Sequence, residues 1–599
     1  MRMLLCLLAL PLAFAGLGLG AASAVAAVEP EPIVVQTHAD TGVIEGAEGE
    51  PCFPVDEIRI TGVTLIDAAE IERRVAPLAA QCLGNNVARA LVAAINEAHA
   101  EIGLITTQGY LPEQDIRATR ALAIEVIPGR IDRIVYTEDH GEAALPLRER
   151  LSKSWERVAS SEGPWALSGN LSALFQTLDD PLDRFQLINA GAHPGVKRWL
   201  GFEIGEGDIL DVEHLQRGVE RINAVPSGRA GVRLEPGAEP ATSTVHIENQ
   251  PVDGFRVLVG YERNAAALSG SGTTIAERIR VDVAKDNLIG INDSWRSSFA
   301  SGVNSNEISM GVTLPIRRAT FSIDGSYSES YQQITPFAGL FSQSGTIAAR
   351  LSYLLSRDKR HQTRLDGSLT WRGSERHIND LRLTPQRLTV ARIGLSQTWT
   401  LGERSQFSYG GGVSRGLTWF EATRDASPIA ATAPRAQFWK LDGFAAYAHG
   451  FSGVGLFRSE LSSQWSPTPL YSDDQLTLGS SASVRGFSSS LAKADRGIVL
   501  RNDFVAELPV AALLGESRED LAFLADVLGA TKPYAFVDFG IGHDLASDRR
   551  IERAGGGFGV RYAHGRTNLD LNVAYPLHDR GARPGGRPDV SLMLSFKLF

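Results

Sequence analysis

The chain has 599 residues, of which 43% are hydrophobic and 21% are charged, and its formal net charge is −10 at pH 7. This length is too great for one ordinary domain, so several domains are expected. The acidic balance argues against a nucleic-acid binder, and no interior stretch of about 18 or more apolar residues predicts a transmembrane helix. A β-barrel stays compatible with these numbers, because its lipid-facing residues recur only at every second position.

The first 27 residues predict a secretory signal peptide. Arg2 provides the positive charge at its start, residues 4–15 form its apolar core, and small residues at 22–26 offer cleavage sites. A membrane anchor is the alternative, but the apolar stretch is too short and too broken by glycine for one. Residues 28–50 are acidic and proline-interrupted, without apolar periodicity, so we interpret them as a flexible lead-in.

Two cysteines remain once the signal is removed, because Cys6 lies within it. Two cysteines in an exported chain predict one disulfide bond, here between Cys52 and Cys82. Two free buried thiols are the alternative, which an oxidising compartment disfavours. A loop of roughly 30 residues closed in this way would stabilise the folded chain by about 3 to 4 kcal/mol.

Residues 51–129 predict one small α/β module. The segment 55–60 alternates as a strand, and Gly62 ends it. A first helix begins at Asp67, and a second helix carries Asn86 as its N-cap. Two short strands follow, at 105–110 and 122–127. The resulting order β-α-α-β-β is that of a polypeptide-transport-associated (POTRA) domain.

Residues 130–250 predict a second module of the same kind, enlarged by an insertion at about 140–205. A strand, a helix and two further strands are expected at 131–136, 210–222, 233–237 and 244–247. The helix has one apolar face, because Val212, Leu215 and Val219 recur at helical spacing. Similar spacing within the insertion predicts extra amphipathic helices, to which no role is assigned.

In residues 251–599 the apolar residues recur at every second position. Leu569 and Leu571, for example, alternate with Asp570 and Asn572. One apolar and one polar face along each strand predict a barrel with lipid outside and water inside. Sixteen such segments are predicted, beginning near residues 252, 274, 292, 306, 318, 344, 361, 387, 404, 434, 453, 496, 531, 554, 566 and 588.

A soluble β-sandwich or solenoid is the alternative to this barrel. The signal peptide, the even number of segments and an alternating last segment favour the barrel. The predicted fold class is therefore mainly β: a 16-stranded antiparallel transmembrane β-barrel preceded by two α/β domains.

The segment Val484-Arg485-Gly486-Phe487 lies between the eleventh and twelfth predicted strands. A charged Arg beside a permissive Gly in a membrane barrel is costly unless the Arg faces water or has an acidic partner. Asp538, on the thirteenth predicted strand, is the candidate partner. Together the two segments resemble the loop-six and strand-thirteen signatures of the two-partner secretion transporters (the TpsB family). Further segments that are similar to that family's patterns lie at 51–54, 103–115, 286–290 and 501–504.

The resemblance implies an outer-membrane transporter with its POTRA domains in the periplasm. In that family the loop folds back into the barrel, where its Arg, here Arg485, meets an inner-wall carboxylate, here Asp538. Such a transporter exports a large β-helical partner protein (TpsA type) of the haemolysin or filamentous-adhesin kind. A POTRA strand edge would bind an extended segment of this partner by strand addition, and we expect Ile105, Thr107 and Tyr110 to take part.

We expect a monomer in outer-membrane lipid that uses no cofactor, metal or nucleic acid. No enzyme is expected, since the 12 histidines show no metal-ligand spacing and no glycine-rich phosphate loop opens a helix. Glycine triplets at 410–412 and 555–557 lie in barrel segments, where they would relieve crowding or bend strands. The alternatives are an outer-membrane assembly insertase, which usually carries more POTRA domains, and a passive porin, which needs neither POTRA domains nor the Arg-Gly loop.

Overall fold

The computed structural model describes most of the chain. The described residues are 32–36, 55–79, 83–138, 199–252, 254–268, 272–335, 337–358, 360–487, 491–508, 522–580 and 588–598. The signal peptide, both cysteines of the predicted disulfide and most of the insertion lie outside these ranges, so they stay predictions.

The chain divides into two compact units. One contains Met1–Ile134, Ile204–Glu213 and Leu234–Val245, and the other contains Val135–Glu203, His214–Arg233 and His246–Phe599. The whole barrel belongs to the second unit, whereas the first predicted module belongs to the first.

The first module is a four-stranded sheet that packs on two helices. Its strands, in the order β1-β2-β4-β3 across the sheet, are β1 (Ile33–Gln36), β2 (Glu57–Thr61), β3 (Gln108–Tyr110) and β4 (Ala121–Ile127). Its helices are α1 (Ala68–Ala79), α2 (Asn85–Glu101) and the single turn α3 (Ile116–Thr119). Alternate residues of the two central strands point to one face, so Ile58, Ile60 and Ile124 are buried in a core with apolar residues of α1 and α2.

Two expectations for this module need correction. The flexible interpretation of residues 28–50 is wrong for β1, which pairs antiparallel with β2 and buries Val35 in the core. Asn86 is not the N-cap of the second helix, because α2 begins at Asn85. Gly84 holds the N-cap position in an extended conformation, and no side chain caps the helix there.

The described part of the second module follows the predicted order of elements. These are β5 (Arg130–Glu138), α4 (Val212–Ile222), β6 (Ala230–Pro236) and β7 (Thr242–Asn249), and the sheet order is β5-β7-β6. Leu215 and Ile222 of α4 are buried, and a Cβ at Gly218 would overlap the ring of Phe202, so this helix packs closely on the segment before it. Of the helices that the structure describes, none is both long and apolar enough to cross a membrane.

Sixteen long antiparallel strands of the described chain close into a barrel. The first eight are β8 (Phe255–Leu268), β9 (Gly272–Asp286), β10 (Ser294–Gly302), β11 (Ser305–Ile316), β12 (Ala319–Thr335), β13 (Ala338–Arg357), β14 (His361–Ile378) and β16 (Gln386–Thr400), with the short β15 (Leu381–Arg382) between the last two. The last eight are β17 (Ser405–Leu417), β18 (Trp439–Phe451), β19 (Gly455–Trp465), β22 (Arg496–Ala506), β23 (Thr531–Asp544), β24 (Arg549–His564), β25 (Thr567–Asp579) and β26 (Asp589–Lys597). A helix, α5 (Ala522–Ala530), precedes β23.

The last strand, β26, closes the barrel by pairing with β8, from Ser591 opposite Asn264 to Lys597 opposite Leu258. The predicted fold class is confirmed, and each predicted segment corresponds to one long strand. The starting positions differ by a few residues, as in the segment expected near 344, whose strand begins at Ala338.

Side chains alternate between the outer and inner walls, as the pleat of a strand requires. In β23, Phe539 and Ile541 are 46% and 64% exposed on the outer wall. Asp538, which directly precedes Phe539, is 0% exposed and faces inward. The polar inner side chains are therefore available to hold whatever lies in the lumen.

The turn between β9 and β10 is connected to the end of α4. Asp286, at its start, accepts two hydrogen bonds from the guanidinium of Arg256 at 2.6 and 2.9 Å and one from the N–H of Ser227 at 3.0 Å. Asn292, at the other end of the turn, donates from its side-chain amide to the carbonyl oxygen of Arg221 at 2.6 Å. The family-like segment that starts at Asp286 thus joins the barrel to the helix before it.

Glu203 lies between two arginines at the same end of the barrel. Its carboxylate is 2.7 Å from Arg221 of α4 and 3.2 Å from Arg318 in the turn between β11 and β12. Burial alone would raise the pKa of Glu203, but the two guanidinium charges outweigh it and hold the pKa below its usual value. Burial also lowers the pKa of Arg221, which stays protonated because the pKa of arginine is far above neutral. Glu220 of α4 forms a further ion pair with Arg357, the last residue of β13.

We expect the ion pairs of Glu203 with Arg221 and Arg318 to weaken in acid. Because the pKa of Glu203 is lower in the folded than in the unfolded chain, its stabilising contribution is present above the unfolded value, about 4.3, and is lost as the pH falls through the folded value. Hydrogen exchange in residues 199–203 and in α4, corrected for the intrinsic pH dependence of exchange, should therefore accelerate below about pH 4. Glu203→Gln should exchange rapidly in these segments already at pH 7. Glu72→Gln, which changes an exposed carboxylate of α1, is the control, and equal behaviour of the two variants would contradict the assignment.

Candidate functional site

Loop six comprises residues 466–495 between β19 and β22, and its described residues, 466–487 and 491–495, lie against the inner wall of the barrel. It contains two short paired strands, β20 (Leu476–Leu478) and β21 (Ala492–Ala494). Val484 and Phe487 are 0% and 3% exposed, and they pack in one apolar cluster with Ile551 of β24. The segment singled out in the sequence is therefore held at a defined place on the wall.

Arg485 is bound to two carboxylates of the inner wall. Its Nε donates to Oδ2 of Asp538 at 2.6 Å, and its Nη2 donates to Oδ1 of the same residue at 2.7 Å. Its Nη1 donates to Oδ1 of Asp503 on β22 at 2.8 Å. The backbone N–H of Arg485 also donates to Asp538, at 3.1 Å. The structure thus places the predicted pair in direct contact and adds a second acid.

Burial makes these contacts mutually dependent. Arg485 is 7% exposed and Asp538 is 0% exposed, so each charge has lost most of its hydration and needs the other. The planar fork of the guanidinium matches a carboxylate in two parallel bonds, which a lysine does not do. The guanidinium carbon also lies 3.7 Å from the ring centroid of Phe536, where the face of the ring attracts a cation.

Two glycines make room for the backbone of this turn. Gly486 has φ +93°, a left-handed conformation that favours glycine, and a Cβ there would lie 2.7 Å from the carbonyl carbon of Tyr575. On β24, a Cβ at Gly555 would overlap the carbonyl oxygen of Arg485. At Gly555, the first glycine of the 555–557 triplet, the backbone of loop six therefore lies in direct contact with the inner face of β24.

The neighbouring part of the loop is held by apolar contacts and by a second arginine. Gly540 and Gly542 of β23 leave space for Leu478, whose side chain a Cβ at either position would meet. Arg553 of β24 donates from Nη1 to the carbonyl oxygen of Leu478 at 2.8 Å and lies 4.7 Å from the ring centroid of Phe487. Wall residues on three consecutive strands thus hold the loop on both sides of Arg485.

The partner-binding candidates of the first module are only partly exposed. Ile105 and Tyr110 are 50% and 53% exposed, but Thr107 is 2% exposed, and its hydroxyl accepts the N–H of Gly129. The strand predicted at 105–110 is confined to β3, because the residues before it form a turn that buries Thr107. Thr107 is therefore withdrawn from the side chains that could contact a partner.

Sequence reasoning assigned no role to Asp503, Phe536 or Arg553. Asp503 lies opposite Phe536 in the register of β22 and β23, and both face inward beside Arg485. The alternation of β22 already predicts that Asp503 shares the wall with other polar residues. Its closeness to loop six depends on how the loop folds back, which no local pattern encodes.

A loop packed into the lumen, a POTRA-like module before the barrel and a closed barrel of sixteen strands define a class: the protein-transporting barrels of the bacterial outer membrane. The family model of the haemolysin secretion/activation protein ShlB/FhaC/HecB matches residues 241–562, and the ShlB-type POTRA domain matches residues 53–129. The chain belongs to the ShlB/FhaC/HecB family. It is an outer-membrane transporter of two-partner secretion, with its POTRA domain in the periplasm.

Similar proteins and structures agree with this family. The outer membrane transporter CdiB of Escherichia coli O6:K15:H31 is 25% identical over 488 residues, which is 79% of this chain and 71% of the relative. The hemolysin transporter protein HpmB of Proteus mirabilis is 22% identical over 471 residues, or 76% of this chain and 72% of the relative. The solved structure of CdiB from Escherichia coli superposes with a TM-score of 0.71 at 22% identity and covers 94% of each chain, so the two share the fold.

We expect Gly555→Ala to displace loop six without removing either charge. The added methyl group would occupy the position of the Arg485 carbonyl oxygen, so the backbone has to move and the Arg485 N–H loses its carboxylate partner. Hydrogen exchange of residues 478–487 should become at least about tenfold faster. Gly556→Ala is the matched control, because its methyl group would meet the flexible end of the Leu577 side chain at 3.0 Å on the other face of the strand. Slow exchange in both variants would show that the position of the loop does not depend on the close contact between Arg485 and Gly555.

Proposed function

We propose that the protein secretes one large partner protein of β-helical (TpsA) type, which the first module binds in the periplasm and the barrel lumen conducts outward. The observation that carries this proposal is the docking of loop six inside the lumen through Arg485, Asp538 and Asp503. A loop fixed in the conduit has to shift when a polypeptide passes. The bound arginine is therefore the element that transport acts on.

The inner wall supports passage of an extended chain. Asp324 forms ion pairs with Arg296 and Arg350, and Glu262 forms ion pairs with Arg278 and Arg280. These side chains are partly hydrated, so their pairs have modest strength and compensate each other's charge. A passing polypeptide meets a polar wall without a large field of one sign. Folding of the partner outside would then draw the equilibrium forward, because it removes the unfolded species from the lumen.

Recognition is proposed for the outer side of β3 and the turn before it. Tyr110 on the edge strand β3 and Ile105 in the turn before it have exposed apolar side chains, and such side chains on a periplasmic module are candidates for a partner surface. The N–H of Gly109, a residue of β3, donates to the side chain of Asn96 on α2 at 2.7 Å. Strand addition at this edge would have to replace that bond, so the side chains and the strand edge would act together.

We further propose that residues 130–250 form a second POTRA domain before a barrel at 251–599, and that the bond between Cys52 and Cys82 stabilises the first domain at 51–129. The order of elements in the described part of the second module supports the first statement. The sequence context of an exported chain supports the second. A monomer without catalytic chemistry is sufficient to bind the partner and to conduct it.

We expect Arg485→Ala and Asp538→Ala to reduce secretion about tenfold or more while the barrel still assembles. Removing one member of a buried pair leaves the other charge uncompensated, which costs about 3 to 5 kcal/mol locally. The double variant should be little worse than either single one, because the two residues act as a unit. The partner is first identified as the protein that disappears from the culture medium when this chain is deleted, and the variants are then compared on that protein. Assembly is followed by the heat-dependent gel mobility of the barrel.

Two results would contradict this function. One is a deletion strain whose secreted proteins are unchanged. The other is a double variant whose loss of secretion is the sum of fully independent losses, since the two residues would then not act through their contact.

We expect Ile105→Asn to reduce secretion several-fold while Val34→Asn has little effect. Both substitutions place an amide on an exposed apolar residue of the first module, at 50% and 41% exposure. Ile105 lies in the turn before the edge strand β3, whereas Val34 lies on the opposite edge strand β1. The β3 edge is the proposed partner surface, whereas the β1 edge is not. The measurement is the amount of partner in the medium relative to folded barrel in the membrane. Equal effects of the two variants would remove the assignment of the partner to the β3 edge.

A further inference from the structure

Loop six has a second buried charge, at the other end of its docked portion. Asp474 is 3% exposed, and it lies in the limb of the loop that leaves β19. No motif of the sequence marks this residue. A carboxylate withdrawn from water needs cations, and the barrel wall provides them.

Two wall residues on separate strands face this carboxylate. Nη1 of Arg372 on β14 is 3.0 Å from Oδ1 of Asp474, and Nζ of Lys440 on β18 is 3.6 Å from the same oxygen. The backbone carbonyl of Asp474 also accepts hydrogen bonds from Lys440 and from the side-chain amide of Gln464 on β19, each at 3.0 Å. Three strands therefore converge on one residue of the loop.

The contacts at Asp474 and at Arg485 have opposite polarity and lie on different parts of the wall. At Arg485 the loop provides the cation, and the acids come from β22 and β23. At Asp474 the loop provides the acid, and the cations come from β14 and β18. In the strand order of the barrel, the arc from β14 to β23 covers seven of the sixteen long strands. Loop six is thus attached at both ends of a long path across the inner wall.

We propose that Asp474 is a second luminal anchor of loop six, with Arg372 and Lys440 as its positioning residues, and that the loop leaves the lumen fully only when both anchors are released. The transport part of this statement rests on the proposed function, whereas the anchor itself is a property of the barrel. Because the loop provides the cation at one anchor and the acid at the other, neither end of the loop can bind at the other end's site. The docked position of the loop is therefore unique.

The base of the loop stays fixed when an anchor is released. Asp495, which is 0% exposed, accepts the N–H groups of Leu470 and Leu545 at 2.7 and 2.8 Å and the side-chain amide of Gln475 at 3.0 Å. Release at Asp474 would weaken the attachment of the limb from about residue 471 to Leu478, in which Gln475 and Leu478 keep their own contacts, and release at Arg485 would loosen the tip. The loop would move in parts around a base that remains attached to the barrel.

Asp474→Asn tests the anchor, and its neighbour provides the control. Asp473 is exposed, and its carboxylate accepts only the hydroxyl of Ser472 among the hydrogen bonds of the described residues. Asp473→Asn therefore makes the same change of charge one residue away. With the purified full-length protein, Asp474→Asn should accelerate hydrogen exchange of residues 471–478 at least about tenfold, while that of residues 483–487 changes less than about twofold. In planar lipid bilayers, the same variant should show a larger or more frequently fluctuating ion conductance than the wild type and Asp473→Asn.

Arg372→Gln keeps the test decisive if Asp474→Asn fails to assemble. It removes a cation from the wall and leaves the loop sequence unchanged, so it should accelerate exchange of residues 471–478 in the same direction. The double variant Arg372→Gln/Asp474→Asn should then be no faster than Asp474→Asn alone. Exchange and conductance equal to those of Asp473→Asn, in whichever of the two single variants folds, would overturn the anchor.

The outcome for the anchor is separable from the outcome for secretion. Faster exchange and altered conductance in Asp474→Asn support the anchor even in a strain where deleting the transporter changes no secreted protein, a result that would reject only the proposed function. Unchanged exchange and conductance reject the anchor even where Arg485→Ala abolishes secretion.

Discussion

The guanidinium of Arg485 has to be neutralised where it lies, at 7% exposure inside the barrel. Its two acids come from adjacent strands, so the register of those strands is part of the site. Asp538 lies opposite Arg501, and Asp503 lies opposite Phe536. A slip of one residue would turn either acid from the lumen to the lipid face, where a carboxylate has no compensation. The buried arginine therefore depends on the register of β22 and β23, and the docked position of the loop depends on the arginine.

The glycines of this wall follow from the same constraint. Two hydrogen bonds near 2.6 and 2.7 Å to Asp538 require the loop backbone to come close to the sheet. A wall with side chains at Gly540 and Gly555 would hold the backbone too far away, because a Cβ at these positions would meet the loop. Glycine costs conformational entropy in a strand, and here the close approach of a second segment offsets that cost. The ion pair and the glycine positions consequently form one structural unit.

The strands of the barrel could be predicted from the sequence, because the alternating pattern of each strand lies within that strand. Each strand alternates by itself, so the segments expected near 361, 496 and 531 begin at His361, Arg496 and Thr531. Other strands are offset, as β13 and β18, which were expected near 344 and 434 and begin at Ala338 and Trp439. Alternation alone does not locate the residue at which a strand begins.

Features that depend on contacts between residues far apart in the sequence were harder to predict. β1 has only four residues and lies in an acidic, proline-interrupted segment, so its strand character depends on pairing with β2. The burial of Thr107 depends on the direction of the turn before β3, and Asp474 depends on the path of a thirty-residue loop. The pairing of Arg485 with Asp538 was expected from a family resemblance, since nothing in the local pattern of either strand connects two residues that are 53 positions apart.

Burial, more than the type of charge, distinguishes the loop's contacts from the rest of the lumen. The side chain of Asp538 is 0% exposed and that of Asp474 is 2% exposed, whereas that of Asp324, which also binds arginines, is 27% exposed. Hydrated pairs contribute little and exchange partners readily, whereas separating a desolvated pair leaves uncompensated buried charges and is strongly unfavourable. The same chemical groups can therefore hold the chain's own loop firmly and still let a foreign polypeptide slide past. A conduit of this kind can use the same types of side chain, at different positions, for closure and for passage, because the degree of hydration assigns the two roles.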